Sequence, residues 1–249
     1  ELLTDIEDNL SLKLYLGLNK IPDYTTLIKF SMQLPKEILD RLVLAFKKMI
    51  PESKKVAIDS TGLNLDNASL YYTKRIAFPI KKRPFMKANA IVDIDQFLIL
   101  LCSLRKSRSH DAKDAKPLIK KMAQHYEPDI FYGDRAYDDE NIFKIVFEDL
   151  GAYPLILQRR LDIENHRRKG FYRRKMFKVF DYGEYLQRNK IETCFSMFKR
   201  RFGANSKART LKTQKVDILL RIVAFNIDRL IRTGKEIIVI IIKIWRVSY

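Results

Sequence analysis

The order of apolar runs between Lys54 and Leu157 leaves few folds open to this chain. "KKVAIDSTGL" reads as a short strand with Gly62 at its exit. "FMKANAIVDI" and "QFLILLCSLRKS" read as a hairpin that turns across Asp93–Ile94–Asp95. A helix follows, capped by Asp111 or Asp114, with Pro117 tolerated near its first turn, and it runs through "LIKKMAQHY". "DIFYGDRAY" is a fourth strand that ends at Gly133–Asp134. Asp138 then caps "DENIFKIVFEDL", whose end is marked by Gly151, and "AYPLIL" is a fifth strand. This is an α/β order. Its later units are βαβ, so they build the parallel portion of a mixed five-stranded sheet flanked by helices.

Either side of this block the pattern is helical. In residues 1–50, "SLKLYLGL" and "PKEILDRLVLAFKKMI" carry apolar residues at three- and four-residue spacing, and Thr25 is a candidate N-cap between them. A helix-turn-helix is conceivable there, but a plain helical packing unit fits the pattern better. After the fifth strand, residues 158–184 interrupt the α/β order. A helix is expected from about Tyr185 to Arg201, and the apolar helix "KVDILLRIVAFNIDRLIR" follows it. The expected organisation is a small N-terminal helical region (1–50), an α/β domain (51–233) with the insertion 158–184, and a hydrophobic tail (234–249). The tail's isoleucine run fits a closing strand, a dimer contact or sequence past a damaged end of the gene.

The formal charge of +18 and a pI near 9.8 point to an anionic partner. Nucleic acid comes first and an anionic membrane second, with a lysine-rich genome as the plain explanation. The insertion concentrates this charge, and Phe171, Tyr172 and Phe177 are interleaved with its Lys and Arg. Arg167, Arg168, Arg173 and Arg174 are therefore candidate DNA-phosphate contacts, against the alternative of a solvated basic loop. Cys102, in "FLILLCSL", reads as a buried core thiol. It and Cys194 lie far apart with no metal-like spacing, which fits a reducing compartment without a disulfide framework. No apolar run is long enough to span a bilayer. No signal peptide is visible, although the chain opens at Glu1 rather than Met, which leaves an earlier segment open.

"YLQRNKIETCFSMFKRRFG" places one acid, Glu192, among Arg188, Lys190, Lys199, Arg200 and Arg201. On a helical wheel, Arg188, Glu192 and Lys199 fall within roughly 60° of Tyr185, beside an apolar stripe of Ile191, Phe195, Phe198 and Phe202. Glu192 thus sits at the margin of a face that packs on the sheet. Asp59 lies directly after Val56–Ala57–Ile58, where an unpaired charge is costly, and Asp134 lies at the C-terminal end of the fourth strand. If the first and fourth strands are neighbours, the two aspartates stand side by side and the last helix brings Glu192 over them. Three converging carboxylates need a cation. Their hard oxygens suit Mg²⁺, and two ions about 4 Å apart would serve phosphodiester transfer. Read singly, Asp59 could be a structural aspartate bonded to turn amides near Ser60–Thr61. Asp138 rivals Asp134 but reads as a helix cap. His110–Asp111 reads as a cap rather than a metal site, and Asp66, Asp93 and Asp95 read as surface residues.

With "AIDSTGL", "YGDRAYDD" and "YLQRNKIETCFSMFK" in this order, the chain resembles the DDE transposases of prokaryotic insertion sequences, in the superfamily usually called insertion sequence four and five. Tyr185, Arg188, Glu192 and Lys199 match that family's Tyr-Arg-Glu-Lys signature in spacing, and the likeness extends over most of residues 20–230. The resemblance implies a ribonuclease H-like fold, with Asp59, Asp134 and Glu192 as catalytic residues that bind two Mg²⁺ ions, or Mn²⁺ in their place. It implies cleavage of double-stranded DNA at the element's ends and strand transfer into target DNA. Tyr185, Arg188 and Lys199 are then expected to hold the backbone near the scissile phosphate, Tyr185 through its hydroxyl or as a stacking face. It further implies a homodimer or larger assembly on paired ends and a place in the prokaryotic cytoplasm, at the nucleoid. Two rivals remain at this stage: a nuclease of the same fold without strand transfer, and a transposase-derived DNA-binding protein whose chemistry is lost.

Overall fold

Val56, Ala57 and Ile58 are wholly buried because β1 (Lys55–Asn64) is the middle strand of the sheet. In the computed structural model, which describes residues 2–46, 54–65, 85–106 and 110–233, β1 pairs antiparallel with β2 (Phe85–Asp93) and parallel with β4 (Ile130–Gly133). β2 pairs antiparallel with β3 (Leu98–Arg105), and β4 pairs parallel with β5 (Tyr153–Ile156). The strand order is β3-β2-β1-β4-β5, the mixed sheet expected, with the first and fourth strands side by side. Gly62 does not end β1: it stays in the ladder opposite Lys87, and the strand runs on to Asn64.

The alternation of side chains along a strand sends neighbours to opposite faces, and each face has its own core. Val56 and Ile58 join Phe131 beneath α5 (Asp111–Ala123) and α6 (Glu140–Lys144), where Leu118, Ile119, Ile142 and Phe143 are buried. Ala57, Ala90 and Tyr132 face the other way. They meet α9 (Lys190–Phe202) and α10 (Leu211–Arg232) through Ile191, Phe195, Phe198, Leu219 and Phe225. Asp59, two residues beyond Ala57, therefore falls on the α9 side. α10 also closes the sheet's open edge. The buried Asn226 amide donates to Ile99 O at 2.9 Å and accepts from Ile99 N at 3.0 Å, standing in for a missing strand.

In the N-terminal region α1 (Leu2–Asp8), α2 (Leu10–Tyr15), α3 (Tyr24–Gln33) and α4 (Lys36–Ala45) precede the sheet. Both α3 and α4 pack on α10, and α4 contributes Val43 to the core there. Thr25 is not the cap of α3. Asp23 takes that role, accepting from Thr25 N at 2.8 Å, because the helix begins at Tyr24 and Thr25 already lies in its first turn.

Four further sequence readings are corrected. Asp111 and Asp114 do not cap α5: they pair with Lys87 at 2.5 Å and Arg105 at 2.9 Å, and His110 holds the cap position without a side-chain bond. Asp139, not Asp138, caps α6, accepting from Asn141 N and Ile142 N. Asp93 is buried rather than at the surface, because its carboxylate accepts from Asp95 N and Gln96 N to make the hairpin turn. Cys102 is only half-buried, whereas Cys194 is fully buried. Gly151 does end the helical run, at φ +69°. The tail 234–249 and Asp66 lie outside the described residues.

Candidate active site

The parallel register that sets Ile58 beside Gly133 carries the two chains onward to Asp59 and Asp134. Gly133 lets Ile156 of β5 and Tyr137 pack closely at this end of β4, since a Cβ there would stand 3.2 Å from Ile156 Cγ1 and 3.4 Å from Tyr137 Cβ. Asp134 Oδ1 accepts from Ala136 N at 2.8 Å, capping the turn Arg135–Tyr137, and this aims its other oxygen outward. Asp59 Oδ1 accepts from Ser60 N at 2.7 Å, which likewise leaves Oδ2 to the site.

The third acid arrives from α9, though not on the single helix expected from Tyr185 to Arg201. Tyr185 ends a short helix, α8 (Tyr182–Tyr185), a 3₁₀ turn covers Leu186–Asn189, and only then does α9 begin. Asp181 caps α8, and Glu184 ties it to the sheet through Lys55 Nζ at 2.7 Å and the Tyr132 hydroxyl. The tighter turn still leaves Arg188 and Glu192 on one side.

Arg188 sits among all three acids. Its Nη2 lies 2.7 Å from Asp59 Oδ2 and 3.9 Å from Asp134 Oδ2, and its Nη1 lies 3.0 Å from Glu192 Oε1. The Arg188 side chain is 13% exposed, against 63% for that of Glu192. Burial pushes the Asp59 carboxyl up to about 6; the charges of Asp134 and Glu192 push the same way, while Ser60 N–H and Arg188 resist. Desolvation works against the Arg188 charge, but Asp59, Tyr185, Asp134 and Glu192 together hold it above the ordinary range. Three carboxylates against one guanidinium leave the site short of positive charge. The donor set therefore fits a divalent ion: hard oxygens from three separate elements, converging and under-neutralised. Among the described residues, no three such side chains form a ready cage; each acid instead lies against the Arg188 guanidinium.

An open groove of ≈ 430 Å³ leads away from this cluster, lined by Asp59, Ser60, Thr61, Glu192, Phe195, Ser196, Lys199 and Arg200. Ser196 and Arg200 follow Glu192 at i+4 and i+8 and share its exposed face of α9. That spacing was available in the sequence and marks them as groove residues that the signature alone passes over. Lys199 is half-buried on the same wall, and burial lowers its ammonium below the ordinary value.

Tyr185 is buried, its ring packed with Phe180 and Tyr182, so the ring does not present the stacking face expected of it. The insertion is equally changed from the expectation. Arg168 is 5% exposed, and its guanidinium donates to Arg160 O at 3.0 Å and Ile163 O at 2.9 Å, so it braces the loop and does not face a phosphate. Arg173 grips Asp138 with two bonds of 2.7 Å, and the Asp138 side chain is 1% exposed. Glu140 accepts from Tyr172 N and Arg173 N, fastening α7 (Phe171–Lys178) to the β4–β5 connection. Arg167 and Arg174 are exposed, as a phosphate contact requires.

A mixed five-stranded sheet of this order, covered by helices on both faces and carrying acids just past the point where its central parallel pairing ends, is a ribonuclease H-like fold. The chain belongs to the transposase DDE domain family, whose model matches residues 51–227. Among solved structures, it resembles a piggyBac transposase, seen by cryo-EM in a synaptic complex with hairpin DNA. That match has a TM-score of 0.51 at 9% identity and covers 91% of this chain and 59% of that one. The likeness is one of fold, and the chain spans less than two thirds of that transposase. No curated protein sequence matches it.

Proposed function

We propose that this chain is a DNA transposase that cuts strands at the ends of its own element and joins them to target DNA. The observation that carries the reading is the convergence of Asp59, Asp134 and Glu192 on Arg188, with Asp59 and Glu192 also lining an open groove walled by Lys199 and Arg200. Asp59, Asp134 and Glu192 would hold two Mg²⁺ ions, which when bound supply Lewis-acid activation of an attacking hydroxyl and charge stabilisation at a departing 3′ oxygen. The chain's own groups would position the substrate. Lys199 and Arg200 offset phosphate charge along the groove, and the hydroxyls of Ser60, Thr61 and Ser196 line it as donors to phosphate oxygens. Arg167 and Arg174 extend the basic surface onto the insertion. A double-stranded DNA partner and assembly on paired ends belong to the same proposal.

Joining separates this reading from a nuclease. A pre-cut duplex carrying the end that flanks the gene is incubated with supercoiled plasmid and Mg²⁺. Covalent transfer of the labelled strand into plasmid, lost with Asp134→Asn, is the expected result. Hydrolysis without joined product would replace the transposase with a nuclease. Binding with neither product would leave a DNA-binding protein only.

A further inference from the structure

Arg188 stands where the cations of the proposed site would stand. Its guanidinium reaches Asp59 at 2.7 Å and Glu192 at 3.0 Å, and lies 3.9 Å from Asp134, so it is the one positive group common to all three acids among the described residues. A divalent ion held by the same carboxylate oxygens would lie against it, like charge on like charge, in a half-buried site where screening is weak. Guanidinium and divalent ions therefore compete for one place. Arg188 is also incompletely held where it is. Its Nε is buried and makes no hydrogen bond among the described residues, although every other contact of this head is to an acid. A group with a donor left over beside an open groove can leave at a lower cost than one that is fully bonded.

We propose that Arg188 is an internal counter-ion that neutralises the acids before metal arrives, is displaced when divalent ions bind, and then meets a DNA phosphate in the adjoining groove. Metal loading and DNA grip are thereby coupled through one side chain. Without metal, the acids hold Arg188 and withhold it from DNA. With metal, the site gains its ions and the groove gains a cation. The proposal rests on the metal-site reading above and adds an order of events to it.

The test uses the whole chain and two readouts other than activity. The first is Mn²⁺ binding, followed by the electron paramagnetic resonance of free Mn²⁺, for wild type, Arg188→Gln and Asp134→Asn. Removing the competitor should tighten Mn²⁺ binding by roughly tenfold in Arg188→Gln, a single ion pair's worth of competition. The second is the salt dependence of binding to a short duplex of unrelated sequence, in chelator and in Ca²⁺ at matched ionic strength. One new phosphate contact should steepen the wild-type slope by about 0.9 in Ca²⁺, while Arg188→Gln shows no change. The slope of the wild type needs no variant, so a poorly folded Arg188→Gln would not spare the proposal. An unchanged wild-type slope overturns it, as does equal or weaker Mn²⁺ binding by Arg188→Gln. If Asp134→Asn loses Mn²⁺ while either of those holds, the metal site stands and only the counter-ion role falls. If wild type itself binds no Mn²⁺, both fall together.

Discussion

Asp59 is the residue on which the electrostatics of the site turn. Burial raises its carboxyl to about 6 from an ordinary 3.8, and its two acidic neighbours add to the effect. Its folded-state pKa is the higher, so the folded protein binds this proton more tightly than the unfolded chain does. The resulting stability is fully present below about pH 4 and is lost as pH rises through about 6. In chelator, wild type should therefore lose about 2–3 kcal/mol relative to Asp59→Asn between pH 4 and pH 7. Urea titrations of both at each pH check this, and parallel curves would contradict it. Arg168 and Arg174 divide the roles of the insertion in the same way. Arg168→Ala should cost about 2 kcal/mol of stability through its lost carbonyl bonds. Arg174→Ala should leave the melting temperature alone and weaken DNA binding in a gel-shift titration.

At the scale of elements, α10 serves the sheet as a sixth strand would. Asn226→Ala leaves the buried Ile99 N–H and C=O without partners and should cost about 2–4 kcal/mol by chemical denaturation. Arg173→Ala should cost about 3 kcal/mol, because Asp138 would be left as a buried unpaired charge, while the Glu140 bonds to the backbone of α7 remain. The order of the strands was legible in the sequence because apolar runs and turn residues alternate at spacings that only strands and helices produce. Asp59 beside Asp134 was legible only on the condition that β1 and β4 are neighbours, which the sheet order meets. The roles of the other charges were not legible. Asp111, Asp114 and Asp138 each stand where a cap would stand, and their true partners, Lys87, Arg105 and Arg173, come from elements distant in sequence. Nothing in a local pattern separates an arginine that faces solvent from one that, like Arg168, turns inward to carbonyl groups. The break between α8 and α9 was hidden for a similar reason, since a 3₁₀ turn keeps the helical spacing of Tyr185, Arg188 and Glu192 nearly intact.

At the scale of the molecule, a net charge of +18 and a groove that opens from three acids onto basic walls describe a protein that attracts a polyanion and concentrates negative charge at one point within its grip. Among the described residues, no helix is long and apolar enough to cross a membrane. Removing Arg167 and Arg174 together should flatten the salt dependence of DNA binding by roughly 0.9 for each lost contact, equally for all sequences. The proposed cutting and joining rest on the three carboxylates. The measurement that reaches them most directly is strand cleavage of labelled DNA bearing the gene's own flanking ends, with Mg²⁺, Mn²⁺ or chelator, for wild type and Glu192→Gln. Cuts at the ends that need the metal, and that vanish in Glu192→Gln while DNA binding persists, are the expected result. Equal cutting by Glu192→Gln, or cutting in chelator, would show that these acids are not the catalytic centre.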